Sequence, residues 1–115
     1  MATVAEAPIE AMPNEPEANK LFRMVMKYEA SDLHLKVGLP PMMRLKGNIR
    51  KMDAPPITEE QMERLVDEIL PSRSREEINE SGMADFIHVI GNGECRFHVN
   101  TGMAQGHLGL VARRL

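Results

Sequence analysis

Hydrophobic positions along the chain fall into two rhythms that alternate. Leu21, Met24, Val25 and Tyr28 recur at i, i+3, i+4 and i+7, the spacing of an apolar helix face, with Lys20, Arg23 and Lys27 as its solvated flank. Pro16 suits a first helical turn, so the helix is expected to begin near it. After Ser31 the period shortens to two: Leu33, Leu35 and Val37 point one way, Asp32, His34 and Lys36 the other, which predicts a half-buried strand. Gly38-Leu39-Pro40-Pro41 reads as a turn. Met43 and Leu45 then oppose Arg44 and Lys46, Gly47-Asn48 is expected to reverse the chain, and Ile49 to Met52 returns as a short strand.

The second half repeats the order. Thr58 with Gln61 matches a capping box, Ile57 can staple onto Met62, and Met62, Leu65, Val66 and Ile69 form one stripe that Pro71 closes. Ser72 or Ser74 is expected to cap a weaker helix that ends at Gly82, with Ile78 as its one large apolar side chain. Asp85 to Ile90 alternates, with Phe86, His88 and Ile90 opposite Ile87 and Val89, and Gly91-Asn92-Gly93 signals a hairpin. Cys95, Phe97 and Val99 are read as inward and Arg96, His98 and Asn100 as outward. Gly102 to Gly106 is expected to turn, and His107 to Arg113 to return with Leu108, Leu110 and Ala112 on one face.

One helix, three strands, two helices and three strands imply an α+β fold. The simplest packing is a mixed or antiparallel sheet of about six strands with helices packed on it. Residues 1–16, rich in Ala, Glu and Pro, have few groups to offset the entropy of ordering and are expected to be a mobile tail before a single domain over 17–115. The chain of 115 residues is long enough for one core, since a chain of this mass buries about two-thirds of its surface on folding. Ten methionines against three phenylalanines and no tryptophan make that core flexible and aliphatic.

Charge is patterned rather than extreme. The net charge of −3 conceals six basic residues from Lys27 to Lys51 and ten acidic ones from Asp53 to Asp85. Opposed surfaces of this kind suit a protein contact, and with aromatic residues at 3% there is little to stack on bases, so no nucleic-acid partner is expected. The first twenty residues lack the basic start and apolar run of a signal peptide, and no apolar run has transmembrane length. The expected location is therefore cytoplasmic.

Candidate chemistry is sparse. The single cysteine, Cys95, lies on an inward phase and reads as a core thiol. His98 and His107 would face each other across the last hairpin, but among the four histidines no metal-binding spacing occurs, and no metal site is assigned. Asp32 and His34 share a strand face, where the aspartate's ordinary role is to accept backbone amides. The glycine-rich pieces do not spell a phosphate-binding loop, so the chain alone is expected to be no enzyme and to hold no cofactor. Four arginines, Arg44, Arg50, Arg96 and Arg113, are read as outward and are suited to clamping phosphate or a partner's carboxylate.

The stretch from Ala30 to Arg50, ASDLHLKVGLPPMMRLKGNIR, resembles the start of the PilT family, the twitching-motility retraction ATPases of type IV pili. The ASDLHL strand, the Gly-x-Pro-Pro turn and the Arg-x-x-Gly hairpin occur in the family's order. Arg96-Phe97-His98-Val99-Asn100 is similar to its Arg-Phe-Arg-Val-Asn strand, and Arg113 to an arginine before its interdomain linker. His98 departs from the family's usual arginine, and Gly106 from another basic residue.

The resemblance implies a PAS-like N-terminal domain that, in the whole protein, precedes a RecA-like ATPase core and docks on the core of the adjacent subunit in a homo-hexamer. ATP and Mg would belong to that whole protein, at the pilus machinery of the inner membrane, and the chain is read as a piece ending before the ATPase core. Carried over by position, Arg96 and Arg113 are candidate contributors near the nucleotide interface. The candidate contact surface adds Asp32, His34, Arg44, Arg50 and His98. Two alternatives stay open: the equivalent domain of a type II secretion or pilus-assembly ATPase, and a PAS-like sensor of small molecules, which a sealed polar pocket would mark.

Overall fold

The computed structural model describes residues 15–115. The tail expected over 1–16 therefore lies, up to residue 14, outside the described residues. Three helices and six strands follow in the expected order: α1 Asn19–Lys27, β1 Asp32–Lys36, β2 Met42–Leu45, β3 Asn48–Lys51, α2 Glu59–Ile69, α3 Ser72–Ser81, β4 Met83–Ile90, β5 Cys95–Ala104 and β6 His107–Arg114. The six strands form one open antiparallel sheet, β3-β2-β1-β6-β5-β4, which settles the choice between mixed and antiparallel.

The helices pack on one face of this sheet. Phe22 of α1 sets its ring edge-on to Phe97 of β5 at 4.9 Å between centroids and against His88 of β4 at 4.8 Å. Phe22, Leu33, Met43, Met62, Phe97 and Val99 are fully buried. Each such side chain adds about 1.5–3 kcal/mol by leaving water. α1 starts at Asn19, later than Pro16 suggested, with Ala18 at its N-cap and no side-chain cap. α2 carries the expected capping box: Gln61 N donates to Thr58 Oγ1 at 3.1 Å, and Thr58 N to Gln61 Oε1 at 2.9 Å. α3 is capped by Pro71 rather than by a serine. Ser74 is instead buried within it, and Gly82 ends the helix in the left-handed conformation.

Two turns sit elsewhere than the glycines suggested. The β2–β3 reversal uses Lys46-Gly47, both at positive φ, one residue before Gly47-Asn48. The β5–β6 reversal uses Gln105-Gly106, so β5 runs straight through Gly102. A Cβ on Gly102 would lie 2.3 Å from the Gly82 carbonyl oxygen, so this glycine serves close backbone approach within a strand rather than a turn.

Candidate functional site

Antiparallel pairing puts directly opposed residues on the same face, so the register reads out the composition of each face. On the face away from the helices one row runs Ile87, His98, Arg113, Asp32, Arg44, Ile49 across all six strands. The next row holds Asp85, Asn100, Val111, His34, Met42 and Lys51. Arg96 lies two residues before His98 on β5, opposite Val89, and shares that face. Of the expected contact residues, Asp32, His34, Arg44, Arg96, His98 and Arg113 are thus brought together.

Arg50 is not. It pairs with Met43 and lies on the helix side, opposite in sense to Arg44. A two-residue turn pairs odd positions with even ones, so Arg44 and Arg50, both even, cannot share a face of that hairpin. The expected approach of His98 and His107 also fails. His98 pairs with Arg113 and His107 with Ala104, because β5 extends to Ala104. Each histidine instead meets a carboxylate: His98 Nε2 donates to Asp85 Oδ1 at 3.0 Å, and His107 Nδ1 to Glu59 Oε1 at 2.8 Å. Among the described residues no group of three His, Cys, Asp or Glu could hold a metal ion.

Asp32 organises the row. It stands on the open face, yet only 3% of it is exposed. Ser31 Oγ donates to its Oδ1 at 2.6 Å and Arg113 Nε to its Oδ2 at 3.3 Å. Burial pushes this carboxyl up, but the Ser31 hydroxyl and the Arg113 guanidinium outweigh it and hold it below the ordinary carboxylate value. Arg113 remains 72% exposed, and only its Nε is engaged, so its terminal nitrogens have no hydrogen bond among the described residues. Arg96 is exposed and makes no side-chain hydrogen bond or ion pair there. Arg44 Nη1 donates to the Gly47 carbonyl at 2.9 Å.

His34, two residues along β1, is half-buried, and its Nε2 is buried without a hydrogen-bond partner. Burial lowers its pKa, Arg44 and Arg113 push the same way, and Asp32 opposes them, so the ring is held neutral. Chemically the face presents one buried anion, arginines beside it of which Arg113 is bonded to it, and an imidazole with an unmet hydrogen-bonding atom. It is suited to gripping an oxyanion or carboxylate.

The periodic reading missed a second polar assembly on the helix side. Asn19, buried in the first turn of α1, accepts from His88 Nε2 at 2.7 Å and donates to Glu15 at 3.1 Å. Arg23 grips Glu15 through Nε and Nη2 at 3.0 and 2.8 Å and reaches Glu94 at 3.2 Å. An arginine counted as solvated flank is thereby a tie between the approach to α1 and the β4–β5 turn. Its one sequence signal is an Arg and an Asn four apart in a helix lacking an acidic first turn.

No protein-family model matches the chain. Among curated proteins it is 33% identical over 99 residues to the type IV pilus retraction ATPase PilT of Pseudomonas aeruginosa. It is 27% identical over 99 residues to the type IV pilus ATPase PilU of the same organism. These alignments cover 86% of this chain but 28% and 26% of the relatives. Among solved structures, the pilus retraction motor PilT with bound ADP superposes with a TM-score of 0.76 at 29% identity, covering 84% of this chain and 28% of that one. The ATPase DotB of Legionella pneumophila shares the fold, with a TM-score of 0.70 at 17% identity over 95% of this chain and 33% of that chain. The chain thus spans between a quarter and a third of the length of the proteins it matches.

Proposed function

Because the chain is homologous to an N-terminal part of the PilT/PilU-family type IV pilus ATPases, we propose that it is the non-catalytic N-terminal domain of a hexameric pilus retraction motor. In this reading its open sheet face docks on the RecA-like core of the neighbouring subunit and couples ATP turnover there to movement of the ring. ATP and Mg bind that core, and the assembly works in the cytoplasm against the inner-membrane pilus machinery. Arg96 and Arg113 reach toward the nucleotide interface, while Asp32, His34, Arg44 and His98 form the docking surface around them.

The observation that carries the reading is the row His98, Arg113, Asp32, Arg44 on an uncovered sheet face. A buried carboxylate that fixes the base of an exposed guanidinium pre-orients that cation at little entropic cost on docking. The test is Arg113→Ala in the full-length protein. ATPase turnover of the assembled ring is expected to fall about tenfold, the equivalent of about 1.4 kcal/mol, with the melting temperature of this domain nearly unchanged. A wild-type rate from intact oligomers rejects the role.

A further inference from the structure

On the side away from that face, α2, α3 and the β5–β6 hairpin enclose a surface groove of about 580 Å³. Its floor is Val66 of α2, Leu70 just after that helix, Ile78 of α3, and Met103 and Leu108 of the hairpin. Met103 is 48% exposed, a large apolar side chain turned toward the helices and left in water. The Arg75–Asp67 ion pair ties α3 to α2 at the groove, and beyond it a hydrogen bond from His107 to Glu59 ties the hairpin to α2. Val66 and Leu70 are four residues apart, about one helical turn, and Ile78, Met103 and Leu108 widen the apolar floor across the groove.

We infer that this groove is a docking site for a basic amphipathic helix of a partner protein. The inference uses the opposite side of the domain and does not rest on the sheet-face reading. Two observations select the occupant. The first is charge. Between Glu59 and Glu80 lie eight acidic residues and three arginines, a net −5, so with the chain at −3 the rest carries +2. Glu60 and Glu63 stand on the α2 rim of the groove with Arg64 beside them, and Arg75 on the α3 side is paired to Asp67. An incoming Lys or Arg on the α2 side of an apolar stripe meets carboxylate.

The second observation is the backbone. β5 is paired on both sides, by β4 and β6, and β6 by β5 and β1. The groove therefore offers no open strand edge, and an extended peptide would find no ladder to join. A helix satisfies its own backbone and presents a stripe of apolar anchors at i, i+3, i+4 and i+7 to such a floor.

The test is a titration of the isotope-labelled chain with a peptide of about 18 residues, long enough to be helical, carrying Leu at those positions and Lys elsewhere. Expected are saturable micromolar binding and amide shifts centred on Val66, Leu70, Ile78, Met103 and Leu108. Dissociation constants should rise about tenfold for Glu60→Lys/Glu63→Lys and, separately, for Met103→Glu, and binding should weaken with added salt. Both variants alter exposed positions, so each reports on folded protein. The same peptide with Glu in place of Lys should not bind. Four results overturn the proposal: no saturable binding, equal binding of the acidic peptide, shifts on the β1–β6 face, or a self-association of the free chain that Glu60→Lys/Glu63→Lys abolishes.

Discussion

On the helix-covered face of the sheet one row reads Phe86, Val99, Ala112, Leu33, Met43, Arg50. One residue along each strand, the open face reads Ile87, His98, Arg113, Asp32, Arg44, Ile49. The backbone and its ladder are shared; the energetics are not. The four central residues of the first row have no exposed surface and hold the helices by burial alone. The four central residues of the second carry charge or a titratable ring, and only the aspartate is buried. A sheet stabilised through one face leaves the other free to spend its side chains on recognition, since exposed ion pairs contribute about 0–1 kcal/mol.

Three substitutions probe this contrast in order of expected effect. Leu33→Ala, in the first row, should cost about 2–5 kcal/mol in denaturant unfolding, through lost burial and a cavity the packed core cannot fill. A loss below about 1 kcal/mol would show that the helix-covered row is not what holds the domain. Asp32→Asn, in the second row, should cost about 1–3 kcal/mol, because the Ser31 and Arg113 donors lose a charged acceptor. The native carboxyl lies below its ordinary value, so the unfolded chain takes up this proton first on acidification. Its stabilisation is complete above the ordinary carboxylate pKa of about 3.9 and is lost as pH falls through the lower folded value. The variant's stability should vary less with pH in that acid window, and an unchanged slope would detach Asp32 from the row. Ile87→Thr, at the end of the second row and 47% exposed, should change stability by no more than about 0.5 kcal/mol. A larger loss would mean that the open face is packed in the free domain.

Much of the first row was legible along the chain, because Leu33, Phe86, Val99 and Ala112 announce themselves by alternation within their own strands. The capping box at Thr58 and Gln61 was equally local and equally readable. The second row was not, since it exists only through register. Asp32 reads as an acceptor of backbone amides, whereas its donors are the Ser31 hydroxyl and Arg113, 81 positions away. Arg50 shows the same limit from the other side: its face depends on the parity of a turn, which composition does not state. Gly102 misled for a third reason, because a glycine required for close approach looks in sequence like a glycine required for a bend.

The strand order has a consequence for how the chain acquires this structure. β1 and β6, the first and last strands among the described residues, are neighbours at the centre of the sheet, paired over five residues. Without β6 the sheet falls into two pieces, a β1–β2–β3 meander and a β4–β5 hairpin, held in common only by helices. The centre of the sheet is therefore joined only when β6 pairs with β1. The β1–β6 pairing is a long-range closure, and contacts so far apart in sequence slow folding relative to local hairpins.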